Sequence, residues 1–424
     1  MSLLRPADRG VLATAVVDSL VVASDPAARG ASAYYWDRGR LWTEAVVRAV
    51  TSSQDPAIRG LGQNLVADPG DPAGYFALRS ALTDAGPGDP SLAAIYDVAW
   101  RAECNSRLGY LLGPDYARDE PYVPAAELEG LPPGEPLDRA GPGGAAPGGA
   151  GPGGAGPGGR GQRGGAEVLI VIPFQDRGAG RARLRNLLAC LLSLRDQSFP
   201  RERYQVTVVE SDEVARWGEV IKPRADHYLF APKPGAFNKS WSVNAGVIHT
   251  PGEHEVICIL DADVLVDREF VERNAARFRR PGTGGHLTYR NMLSLDPPAT
   301  SHAIRDRLER GAAQPGPDHF RGFVLRRPPG CCIWVRSAAF HRIGGMDERY
   351  EGWGGEDYDF LHRLDLDAPL DSYEDWLLHM HHPPSPFIRE DGGLVDIPPL
   401  SWRPTEPIGR LDRFTAGGQR QAAG

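Results

Sequence analysis

The stretch Val256-Ile257-Cys258-Ile259-Leu260-Asp261-Ala262-Asp263 decides the fold class. Five consecutive apolar residues that run straight into two acids fit a strand buried on both faces, as in parallel sheets covered by helices. The preceding sequence repeats the theme. Residues 168–172 form an apolar run ending at Pro173, and residues 205–209 form a second. Between them Leu184, Leu187, Leu188, Leu191 and Leu192 fall on one helical face, and residues 244–248 read as the end of another helix. Strand, helix, strand, helix, strand predicts an α/β domain with a mostly parallel sheet. Ligands of such sheets bind beyond the carboxyl ends of the strands. There stand Gln175-Asp176-Arg177, Glu210-Ser211-Asp212 and Asp261-Ala262-Asp263.

Two carboxylates at the tip of a buried strand are costly unless compensated. A hard divalent cation, Mn²⁺ or Mg²⁺, held between Asp261, Asp263 and a diphosphate would neutralise them. The plainer alternative is a turn, in which Asp is common. Further on, Gly352-Trp353-Gly354-Gly355-Glu356-Asp357 combines backbone freedom, a flat aromatic face and two acids. Trp353 suits stacking on a sugar ring, and Glu356 or Asp357 suits proton abstraction from a hydroxyl. A Gly-rich loop with solvated acids is the alternative here. The third feature is His379-Met380-His381-His382-Pro383, which offers imidazole ligands to the same cation. In an extended segment His379 and His381 share a face and His382 faces away.

The 424 residues suffice for two domains. A formal net charge of −8 speaks against a nucleic-acid-wrapping protein. No apolar run approaches the roughly 20 residues of a membrane span, and the best, residues 11–22, carries Asp18. Five cysteines, two of them adjacent, read as reduced thiols of a cytoplasmic protein. Residues 131–165 are mostly Gly, Pro and Ala, the composition of a disordered linker. This divides the chain into a separate, mainly helical domain (1–130) of unknown role, the linker, a catalytic domain (166–400) and a C-terminal tail (401–424). The helical domain is a candidate for recruiting a partner or acceptor.

Val171-Ile172-Pro173-Phe174-Gln175-Asp176-Arg177, Phe237-Asn238-Lys239 with Asn244-Ala245-Gly246, the Asp-x-Asp and the Gly352–Asp357 motif occur in the order seen in GT-A fold glycosyltransferases. The set resembles family 2 glycosyltransferases joined to the C-terminal region of β-1,4-galactosyltransferases. It is also similar to chondroitin-polymerase-like and polypeptide N-acetylgalactosaminyltransferase domains. The resemblance spans roughly residues 167–386 and implies a Rossmann-like sheet, a UDP-sugar donor and Mn²⁺. It further implies that Pro173, Phe174, Asp176 and Arg177 border the uridine, that Glu210 accepts the uracil N–H, and that Phe237 packs on the base with Lys239 near the nucleotide. Gly330 falls near the donor sugar, and Trp353 and Glu356 hold sugars. Asp263 ligates the metal, with Asp261 beside ribose and metal, and Asp357 is the base. His379 and His382 match a His-Leu-Trp-His-Pro segment, with His379 the favoured ligand. Cys331-Cys332 and the long Pro/Gly-rich segment 279–327 depart from the pattern.

The expected activity is metal-dependent, inverting transfer of a hexose or N-acetylhexosamine from a UDP-sugar to a carbohydrate, peptide or small-molecule hydroxyl. The alternatives are a retaining N-acetylgalactosaminyltransferase-like enzyme and a catalytically silent nucleotide-sugar or carbohydrate-binding protein.

Overall fold

The structure is a computed structural model that describes residues 5–85, 90–132, 166–177, 180–352, 354–383 and 397–415. The linker reading of residues 131–165 therefore falls almost wholly outside the described residues.

The N-terminal region is helical, as expected. Its helices include Arg9–Ser24, Pro26–Ala31, Ala33–Thr51, Pro56–Ala67, Pro72–Asp84 and Pro90–Asn105. Their starts are written in the sequence as Asp-Pro. Asp25, Asp55 and Asp71 each cap a helix by accepting a backbone N–H, and Pro follows at the first helical position, where it lacks only a donor that would be unpaired anyway. Helix Arg9–Ser24 is apolar around most of its circumference and is the centre of this bundle, with Leu12, Val16, Val17, Leu20 and Val21 buried. No helix among the described residues is long and apolar enough to cross a membrane.

Ten strands form one mixed sheet: β1 (Leu108–Leu112), β2 (Val168–Phe174), β3 (Tyr204–Glu210), β4 (His227–Phe230), β5 (Val256–Leu260), β6 (Val264–Leu265), β7 (Gly285–Leu295), β8 (Arg321–Arg326), β9 (Cys332–Arg336) and β10 (Leu370–His379). The main path runs β1-β8-β7-β9-β5-β2-β3-β4. Strands β4, β3, β2 and β5 are parallel, as the apolar runs predict. Helices Ala182–Arg195 and Lys239–His249 pack on this half. Gly246 allows the second to lie close, because a Cβ there would come within 2.5 Å of the Val171 side chain. The other half is antiparallel through β9, β7 and β8. The long Pro/Gly-rich segment 279–327 is a structural part of the sheet. It contains the 11-residue β7, helix Pro297–Leu308 and β8.

Contacts cross two of the expected divisions of the chain. The N-terminal region is not separate in space, since β1 pairs antiparallel with β8 over Leu108–Leu112 and completes the sheet edge. Arg321 bridges Asp25 of the helical region and Asp296 of the sheet region, and one apolar cluster runs through both parts. An edge strand needs backbone partners, and β1 supplies them to β8. The C-terminal tail is also anchored as far as it is described. Trp402 is buried with its indole donating to the Gly344 carbonyl, and Phe414 packs edge-on against Trp241.

Candidate functional site

The site assembles where β5 ends. The backbone N–H of Asp261 donates to the Cys331 carbonyl at 2.8 Å, and the Met380 N–H donates to the Asp263 carbonyl at 2.8 Å. The short β6 pairs with the end of β10, placing His379 opposite Val264. This pairing delivers the histidine segment to the acids. His379 Nε2 lies 3.4 Å from Asp263 Oδ1, and His382 Nε2 lies 3.0 Å from Asp263 Oδ2. One ligand atom from each of Asp263, His379 and His382 falls within 4.8 Å of the others, the spacing of a cation site. Asp263 Oδ1 and His379 Nδ1 are buried without a hydrogen-bond partner among the described residues. Burial acting alone would raise the Asp263 carboxyl, but the His379 and His382 imidazoles hold it well below the carboxylate range. An ionised carboxylate with two imidazoles suits Mn²⁺, and the orphaned oxygen is what a bound cation would satisfy.

His382 would face away from His379 only in an extended segment; β10 stops at His379, and the chain departs from that course so that both imidazoles reach Asp263. The bend is held from helix Ala182–Arg195. Arg185 donates to the His381 carbonyl at 2.6 Å, and Asn186 donates to the Met380 and His381 carbonyls at 3.2 Å. Only two buried polar neighbours in a leucine-rich helix signalled this role. His381 lies apart from the cluster, with its N–H on Thr300 Oγ1.

The second half of the site is built on helix Glu356–Asp367. Gly352, Gly354 and Gly355 take φ of 83°, 103° and 96°, which turn the chain into the helix start. Asn238 and Asn244 brace the preceding loop through the carbonyls of Glu348 and Met346. Asp357 then meets Lys239, at the first position of helix Lys239–His249. Lys239 Nζ lies 3.1 Å from Asp357 Oδ2 and 2.8 Å from Asp261 Oδ1. Asp261 is therefore the partner of a lysine and stands outside the Asp263–His379–His382 cluster. Burial raises the Asp357 carboxyl while Lys239 opposes it. Burial and the neighbouring Asp357 push Glu356 up to about 7. Asp357 Oδ1 is buried with no partner among the described residues. Gly330 leaves room for the other oxygen, and its carbonyl accepts from the Tyr289 hydroxyl. Trp353 lies outside the described residues.

The nucleotide-side positions divide. Pro173 and Phe174 are buried within β2, and Phe174 belongs to the apolar core. Asp176 is buried with Oδ1 unpartnered, and burial raises its carboxyl. Arg177 clamps the neighbouring strand ends through Asp212 and the Gly235 carbonyl. Glu210 is committed internally, accepting from the Arg216 and Trp217 N–H groups and from the Tyr228 hydroxyl. Phe237 is half-buried, and its carbonyl accepts from the Gly352 N–H at 2.8 Å, tying the loop before helix Lys239–His249 to the glycine-rich turn.

Residues 169–344 match the family model described as glycosyl transferase family 2, which contains β2 through β9 and both Asp261 and Lys239. This region resembles a family 2 glycosyltransferase domain. Residues 325–368 also match the model described as N-terminal domain of galactosyltransferase, covering Gly330, Glu356 and Asp357. No curated protein matches the chain. Among solved structures, it is similar to the mannosyltransferase PcManGT from Pyrobaculum calidifontis in complex with GDP-Man and Mn²⁺. There the identity is 14% and the TM-score 0.34, over 53% of this chain and 58% of that one. It is similar also to S. aureus TarS 1–349, at 13% identity and a TM-score of 0.36 over 50% and 60% of the two chains. A third is the catalytic domain of Drosophila β1,4-galactosyltransferase 7 in complex with xylobiose, at 17% and 0.28 over 49% and 64%. The match spans less than two thirds of each of these chains.

Proposed function

We propose that the glycosyltransferase transfers a hexose or N-acetylhexosamine from a UDP-sugar to an acceptor hydroxyl, with inversion and with Asp357 as the general base. The carrying observation is the Lys239 ammonium between Asp261, on the cation-side turn, and Asp357, on the helix start. It couples the two halves of the site. Asp263, His379 and His382 would hold Mn²⁺ or Mg²⁺. When bound, the ion neutralises the diphosphate leaving group as Lewis acid and template. The Lys239 ammonium opposes the rise that burial imposes on Asp357 and so favours the carboxylate form that takes the acceptor proton. The unpartnered Oδ1 of Asp357 is the atom free to do so. Asp176 and Phe237 line the nucleotide end.

Positioned proton transfer of this kind contributes roughly 10²–10⁴-fold. Asp357→Asn is expected to lose transfer by about that factor while UDP and Mn²⁺ still raise the melting temperature. A wild-type transfer rate in Asp357→Asn removes the base assignment. The configuration of the product's anomeric centre, read by NMR, tests inversion, and a panel of UDP-sugars scored by UDP release identifies the donor.

A further inference from the structure

Tyr358 follows the proposed base directly, and its hydroxyl meets the Tyr35 hydroxyl of the N-terminal helical region at 2.8 Å. Arg107, from the loop before β1, donates to the same Tyr358 hydroxyl at 3.2 Å and to the carbonyls of Arg326 and Arg327. Its guanidinium also lies 4.7 Å from the Tyr35 ring centre. Tyr35 in turn meets Tyr34 edge-on at 5.1 Å, and Arg38 sits 3.8 Å over the Tyr34 ring. Tyr34, Arg38 and Trp42 follow at i, i+4 and i+8 along helix Ala33–Thr51, a row about 12 Å long on one face. Tyr34, Trp42 and Tyr358 are among the few large apolar side chains left exposed.

The patch is also locally basic, although the chain carries a formal net charge of −8. Most arginines of the sheet region pair with a carboxylate, as Arg273, Arg277, Arg321 and Arg363 do. Arg38, Arg107 and Arg327 have no carboxylate partner among the described residues, and Arg38 and Arg327 are exposed. Three guanidiniums without a carboxylate partner lie with exposed aromatic rings beside Tyr358, the residue after Asp357, and suit rings that carry negative charge. Aromatic faces pack on the apolar faces of sugars, and guanidinium forks grip carboxylate or phosphate.

We infer that the N-terminal helical region supplies an acceptor subsite for an anionic saccharide, built from Tyr34, Arg38, Trp42, Arg107, Arg327 and Tyr358. The inference rests on the transferase reading, because it is the proximity of Tyr358 to Asp357 that makes the bound saccharide an acceptor.

Calorimetric titration of the full chain with three probes tests it. These are a hexasaccharide of alternating uronic acid and N-acetylhexosamine, its carboxyl-reduced neutral form, and that neutral form carrying phosphate monoesters. Binding of either anionic probe, weakened at least tenfold in Arg38→Ala/Arg327→Ala and largely restored in Arg38→Lys/Arg327→Lys, is the expected result. The preferred probe identifies carboxylate or phosphate as the anion. Equal binding of the neutral form, no binding of either anionic probe, or unchanged affinity in the double alanine variant overturns the inference. The thermal shift caused by UDP with Mn²⁺, measured on the same samples, reports the donor site independently. An intact shift without patch-dependent binding sinks this subsite alone. Patch-dependent binding without the shift upholds the subsite and sinks the donor reading.

Discussion

Gly330 and Asp357 stand so close that a Cβ on Gly330 would lie 2.1 Å from Asp357 Oδ2. The obstructed atom is the end of a side chain, so Gly330→Ala can fold by rotating the carboxylate away from Lys239. Transfer is expected to fall at least about tenfold, a loss of roughly 1.4 kcal/mol in the transition state. The melting temperature should stay close to wild type. Undiminished turnover in a folded Gly330→Ala enzyme argues against Asp357 as the reacting carboxylate.

His382 joins the cation cluster only because the chain bends after β10, which makes it a sharper test than His379. His382→Ala should weaken Mn²⁺ binding by about 10–100-fold, within the range seen when a residue supporting a metal site is lost, and His381→Ala should not. Calorimetry of Mn²⁺ binding measures both. Equal Mn²⁺ affinity in His382→Ala and wild type, or full activity in excess EDTA, removes the proposed ligand set.

Asp18 lies in the centre of the N-terminal helices, where burial pushes its carboxyl from 3.8 to about 8 although the Tyr75 hydroxyl donates to it at 2.7 Å. The folded state therefore holds a proton that the unfolded state releases. This group's contribution to stability declines as pH rises from about 4 to about 8 and is constant outside that window. Asp18→Asn carries no such slope. Its melting temperature should exceed that of wild type by at least about 2 °C at pH 9 and lose that advantage towards pH 4. Parallel melting curves for the two proteins between pH 5 and 9 contradict the burial argument.

Removal of residues 1–130 strips β1 from β8 and opens the shared apolar cluster. Exposed strand edges and apolar surface promote association. The remaining fragment should aggregate or melt well below the full chain, as gel filtration and calorimetry would show. A monomeric fragment with the full chain's melting temperature would mean that the two parts fold independently after all.

Legibility in the sequence followed the range of the interactions. The buried parallel strands were readable because burial on both faces demands unbroken apolar runs, as at residues 168–172 and 256–260. Helix starts were equally local, since an Asp cap and a following Pro act within one turn. The antiparallel strands were not readable. Strand β7 carries Arg290, Asn291 and Ser294 among its apolar residues and pairs with strands from three separate parts of the chain. The pairing of β1 with β8, across more than 200 residues, left no local mark.

The same division runs through the site. Residue chemistry and the family resemblance together singled out Asp261, Asp263, Asp357, His379 and His382 as candidates, because acids at strand ends or after glycine turns are costly without a use. How these residues are grouped depended on the tertiary structure. Two-residue spacing in Asp261-Ala-Asp263 suggests a pair, yet Asp263 joins the histidines while Asp261 joins Lys239 and Asp357. Likewise the aromatic and arginine row beside Tyr358 exists only because the N-terminal helices return to the helix that carries Asp357. Partnership between charges depends on through-space distance at the scale of a few ångströms, and strand pairing and helix docking set those distances here.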